Sequence, residues 1–203
     1  MNFQQWRELN YGKVYETDLQ HSAKRYLENE WHLFTEMTAV RELRQNLKTT
    51  NLWVEISEPL TVEEVKLIKK QLVGVGLIRS HSFQLWVEIT NWHMADSISE
   101  LSEIGIDGLN FDMNSLLENY LGHHRISEHL TINPLFWGHV KDFIKLCRKH
   151  DLSYHFSLTP NIQGLGSNLV DCGVTNIRTS QENVNSLLES LPLWENQTVR
   201  NKE

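Results

Sequence analysis

The chain has 203 residues, with 19 Lys and Arg against 26 Asp and Glu, and so a formal net charge of -7. With 40% hydrophobic and 22% charged residues it has the composition of a globular chain able to bury a core, which excludes disorder, collagen-like repeats and disulfide scaffolds. A pI near 5.8 without a basic stripe speaks against nucleic-acid or anionic-membrane partners, and no stretch approaches the roughly 18 apolar residues of a membrane span.

The N-terminus, MNFQQWRELN, lacks a basic start followed by an apolar run, so a cytoplasmic location is expected. Residues 1–26 carry Trp6, Tyr11, Tyr15 and Tyr26 with no clear period, and Leu27–Leu47 reads as one amphipathic helix. From Asn51 onward, short apolar runs alternate with segments of helical period. Leu52–Ile56 is a candidate strand, and Leu60–Val73 places Val62, Val65, Ile68 and Leu72 on one helix face, stopped by Gly74 and Gly76. Phe83–Ile89 is a second strand, followed by a short helix over Ala95–Ile104 that Gly105 ends. A third strand, Gly108–Asp112, leads into a helix over Asn114–Leu121 with Asn114 or Ser115 as its cap. Pro134 opens the strongest helix, running to His150 and feeding a fourth strand, Ser153–Leu158. Asn176–Thr179 is a weaker fifth strand, whose helix, Glu182–Leu191, is expected to end at Pro192.

Successive β/α repeats imply a parallel sheet with right-handed crossovers, because parallel neighbours need a connection long enough to hold a helix. The expected fold is α/β, an incomplete TIM-type (β/α) barrel of about five β/α units, since a closed barrel takes roughly 250 residues. Residues 1–50 form an N-terminal arm and helix, 51–194 the partial barrel, and 195–203 a frayed tail. Open sheet edges in such a piece call for covering by the arm, by a second copy or by a partner protein.

In parallel α/β folds function gathers where strands end. Glu88 and Asp112 end consecutive strands, a position from which two carboxylates can hold a hard cation such as Mg²⁺; acids there also serve as helix caps or solvated loop residues.

The residues also carry a resemblance. Thr50–Glu64, Val75–Arg79, Leu85–Ile89, Ile106–Gly108, Asn114, Leu121-Gly122 and Arg125, then Asn133-Pro134, Cys147–Lys149 and Leu169–Val174, form a collinear series. The series resembles the C-terminal barrel of phosphoenolpyruvate synthase and pyruvate phosphate dikinase, over residues 20–190. The resemblance implies a barrel that binds phosphoenolpyruvate or pyruvate with Mg²⁺ and exchanges a phosphoryl group with a phosphohistidine on a partner. It makes Glu88 a metal ligand, although Thr90 replaces the family's proline. It puts Asn114 and Arg125 at substrate-binding positions, Ser115 where the family has a metal-binding Asp, and Ser157 where it has the proton-donating Cys; matching Pro160 instead would place that Cys at Phe156. Leu60 falls at a family arginine, and His21 near another. With Ser115 neutral, Mg²⁺ affinity falls unless Asp112 substitutes, and a serine hydroxyl is a far weaker acid than a thiol. The resemblance therefore implies a catalytically impaired binding or interaction module. The alternative is an active phosphotransferase subunit served in trans.

Other features have ordinary explanations. His123-His124, with His129 and His139 nearby, has no Cys/His partner at ligand spacing, and the pair, in the loop after Leu121-Gly122, reads as exposed loop histidines. Gln163–Asn168 reads as a plain turn before a cap rather than a phosphate cradle. Cys147 and Cys172 sit on apolar helical register as small buried thiols. Trp53, Trp86 and Trp137 read as core, and Trp92 with His93 as rim packing or a narrowed pocket.

Overall fold

A computed structural model describes residues 6–9, 12–19, 37–42, 44–45, 52–121, 133–158 and 165–200. The strands are β1 (Trp6–Leu9), β2 (Gly12–Leu19), β3 (Leu52–Ile56), β4 (Phe83–Ile89), β5 (Gly108–Asp112), β6 (Ser153–Ser157) and β7 (Ile177–Arg178), following one another through one sheet in chain order. The helices are α1 (Val62–Gly74), α2 (Trp92–Asp96), α3 (Ile98–Ile104), α4 (Met113–Leu121), α5 (Pro134–Lys149), α6 (Leu165–Asp171) and α7 (Val184–Arg200). From β3 to β7 strand and helix alternate in one parallel sheet, the expected α/β pattern of an incomplete barrel. The N-terminal segment, without period in the sequence, supplies a hairpin: β1 pairs antiparallel with β2, and β2 pairs parallel with β3. By contact the chain divides into two compact units, residues 1–89 with 93–109, and residues 90–92 with 110–203.

In the first unit, alternation sorts β3 and β4 into two faces. Leu52, Val54 and Ile56, with Phe83, Leu85, Val87 and Ile89, are buried on one; α1 contributes Val62, Val65, Ile68 and Leu72 to the core, and α3 Ile98 and Leu101. Thr61 begins α1 through a capping box in which its hydroxyl accepts from the Glu64 N–H while Glu64 reaches back to the Thr61 N–H. On the opposite face Trp53 and Trp86 stack with centroids 4.8 Å apart. Asp107 accepts from the Leu85 N–H at 2.8 Å and from Arg79 Nε at 2.6 Å, tying the entry of β5 to β4. Lys69 caps the C-terminal end of α3 by donating to the Ile104 carbonyl.

In the second unit Asn133 caps α5, accepting from the Leu135 and Phe136 N–H groups, and Pro134 takes the first helical position, where its missing N–H costs nothing. The helix buries Phe136, Trp137, Val140, Phe143, Ile144 and Cys147, the face its periodicity predicts. Phe111 of β5 stacks on Phe143 and on Phe156 of β6, at 5.7 and 4.8 Å. Trp92, half-buried, packs among Tyr120, Phe136, His139 and Phe143 and donates its indole N–H to the Leu116 carbonyl, so it packs at the rim of an aromatic cluster.

Several boundaries differ from the sequence reading. The short helix expected over Ala95–Ile104 is two, α2 and α3, separated at Ser97. Neither Asn114 nor Ser115 caps α4: both lie in its first turn, and Asp112 is the cap. The run Gln163–Asn168 is not a plain turn throughout, because α6 begins at Leu165 and takes in Gly166 and Ser167. The last helix continues through Pro192 to Arg200, where an end at Leu191 is expected from the proline; packing of Trp194 against Gly166 offsets the hydrogen bond that Pro192 removes.

Candidate polar site at the strand ends

Asp112 ends β5 with both carboxylate oxygens engaged. Oδ1 accepts from the Asn114 N–H at 3.1 Å, and Oδ2 from the Ser115 hydroxyl at 2.7 Å. The chemistry is that of a helix N-cap, where a carboxylate satisfies orphan N–H groups and complements the helix dipole. The structure thus brings Asp112, Asn114 and Ser115 together through the start of α4. Two residues earlier, Asn110 is 1% exposed and its Oδ1 accepts from the Ser157 hydroxyl at 2.6 Å, joining β5 to β6. Ser157 is therefore a hydrogen-bond donor to a buried amide.

Glu88 lies in the first unit, at the end of β4, where Oε2 accepts from the Glu58 N–H at 3.2 Å. Glu58 takes a positive φ of 49°, so this bond holds a strained turn after β3. Arg125 and the histidines at 123, 124 and 129 lie outside the described residues, as do His21 and the stretch 159–164.

The sequence reading missed Asn110 and His155. Both were legible as polar residues at alternate strand positions, Asn110 in step with Asp112 and His155 with Ser157. His155 is depressed to about 3, first by burial and second by the positive charge of Arg178, so it is neutral at physiological pH. Burial pushes the Cys147 thiol up to about 12, which leaves it unreactive, and burial also raises the half-buried Cys172.

The Mg²⁺ expectation can be tested against these bonds. A hard dication needs several oxygen ligands that include enough carboxylate charge to offset its own. Ser115 spends its proton on Asp112, and both Asp112 oxygens face inward to α4. Among the described residues no group of three or more His, Cys, Asp or Glu side chains is arranged to hold a metal ion. One carboxylate beside the neutral Asn114 and Ser115 gives the end of β5 only a weak hold on such an ion.

No family model matches the chain, and no curated protein matches its sequence. Solved structures similar to it include a citrate lyase from Burkholderia xenovorans LB400, with a TM-score of 0.52 and 9% identity over 68% of this chain and 48% of the lyase. They also include the EAL domain of Mycobacterium smegmatis DcpA (TM-score 0.38, 14% identity, 83% of this chain and 82% of that one) and the PaMucR phosphodiesterase in complex with c-di-GMP (0.40, 13%, 83% and 82%). The chain spans about half the length of the lyase, and that likeness shows the fold alone.

These findings correct the membership implied by the collinear series. No family model matches the chain, those of phosphoenolpyruvate synthase and pyruvate phosphate dikinase included, and the fold is shared with a citrate lyase. The phosphoenolpyruvate or pyruvate ligand, the phosphotransferase chemistry and the phosphohistidine partner are withdrawn with it. The physical reason is visible in the chain itself: Leu-Trp-Val-Glu-Ile occurs at 52–56 and again at 85–89, as β3 and β4. A string that recurs in neighbouring strands reports what a parallel strand with one helix-covered face requires, and not a family's chemistry.

Proposed function

We propose that the chain is a non-catalytic domain of barrel type that works by association. The observation carrying this reading is the Asp112 carboxylate, the most ligand-like group at the strand ends, with both oxygens committed to the first turn of α4. Ser157 and Glu88 support it, since each is used to tie one element to another. The fold is shared with enzymes, but the strand-end side chains are oriented by internal hydrogen bonds, and turning one toward a substrate or ion would cost about 1 kcal/mol for each bond given up. Two free thiols agree with a reducing compartment such as the cytoplasm, and no helix among the described residues is long and apolar enough to cross a membrane.

Titration calorimetry with MgCl₂ alone tests the reading. Binding heat should be absent at millimolar ion, and Asp112→Ala should lower stability by about 1 kcal/mol, the usual value of a lost N-cap. Saturable Mg²⁺ binding that Asp112→Asn abolishes would overturn it.

A further inference from the structure

Among the described residues β7 is last in the strand order, and its hydrogen bonds to β6 come from alternate residues. The Phe156 N–H donates to the Asn176 carbonyl at 3.1 Å, and the Leu158 N–H to the Arg178 carbonyl at 2.9 Å. In a parallel pair the backbone groups of successive residues point to opposite sides of the strand. With Asn176 and Arg178 turned toward β6, Ile177 directs its backbone groups the other way, and continued alternation on pairing would give Thr175 and Thr179 the same direction.

From this edge we infer that β7 pairs antiparallel with β7 of a second copy, about a two-fold axis centred on Ile177. A two-fold contact must be self-complementary, because every residue meets the one placed symmetrically across the axis. Centring on Ile177 places Ile177 opposite Ile177, Thr175 opposite Thr179, and Asn176 opposite Arg178. The outward residues at 175, 177 and 179 then form the hydrogen-bonded pairs that an antiparallel ladder alternates. The side-chain pairs are β-branched with β-branched, hydroxyl with hydroxyl and amide with guanidinium, all of favourable kinds, and no charge faces its like. Moving the centre by one residue, to Arg178, would set two guanidinium groups against each other. The register is thus selected by charge. The inference concerns association through the sheet edge and stands whether or not the strand ends bind an ion.

Sedimentation equilibrium over a concentration series tests it on the full chain. The wild type should dimerise, Asn176→Arg should raise the dissociation constant tenfold or more by opposing Arg178 twice across the axis, and Asn176→Glu should lower it. Asn176 is exposed, so both variants spare the core. Amide exchange at Ile177 should slow as concentration rises. A chain that stays monomeric throughout, or a dimer whose constant both variants leave unchanged, would overturn the proposal.

Discussion

At Gly108 the absence of one carbon decides how two strands lie. A Cβ there would sit 2.7 Å from three ring atoms of Trp86, and the indole has no room to retreat because Trp53 stacks on it at 4.8 Å. Trp86 is 4% exposed, and its N–H donates to Gln84 Oε1 at 3.0 Å, which fixes the ring further. Gly108→Ala should therefore destabilise the fold by about 1–3 kcal/mol, the range for overpacking a filled site, and denaturant midpoints would measure it. His155 acts at the same scale through protonation. Its pKa is about 3 in the folded chain and near 6.5 when unfolded, so the unfolded state binds the extra proton between those values. The stability it contributes is complete above about pH 6.5 and declines as pH falls toward 3, by up to about 1.4 kcal/mol per pH unit. His155→Gln should flatten that part of the stability profile; an unchanged acid limb would show that other groups set it.

At the scale of elements, legibility followed burial. α5 was readable from its sequence because Asn133, Pro134 and an apolar stripe at helical spacing all specify the same helix, and β3 to β5 because alternation and glycine stops agree. The hairpin β1–β2 was not readable, since polar and aromatic residues there follow neither period and strand pairing supplies the order. α7 misled in the opposite sense, because Pro192 is a local stop signal that tertiary contact overrides. Gly166 leaves space where a Cβ would lie only 2.1 Å from the Trp194 ring, so the segment beyond the proline is anchored on α6. Gly166→Ala should push Trp194 off that seat and release the turns after Pro192, seen as a loss of helical signal by circular dichroism. Pro192→Ala, which restores an N–H to the Leu188 carbonyl, should raise helix content instead. The polar site was legible in part for the same reason. Asp112 and Glu88 stand at strand ends where a sequence marks them, but whether an acid there caps a helix or waits for a ligand depends on the N–H groups folding brings to it.

Across the whole molecule the charge balance bears on association. Each chain carries a formal charge of -7, so two copies repel before any contact forms, whatever the complementarity of their β7 edges. That repulsion reaches about 30 Å at 0.01 M salt and about 10 Å at 0.1 M. The pairs across the proposed axis are neutral or amide-to-cation, and an antiparallel ladder of backbone hydrogen bonds responds weakly to ionic strength. Added salt should therefore remove more repulsion than attraction, and the dimer should tighten as salt rises from about 0.01 to about 0.1 M. Asn176→Glu reverses part of this behaviour, because its gain is an ion pair to Arg178 that salt weakens. Its advantage over the wild type should be largest at low salt and shrink with each increment. Sedimentation of the two proteins at both salt concentrations measures the difference directly; a wild-type dimer that loosens with salt would mean that ion pairs, and not the β7 backbone ladder, hold the copies together.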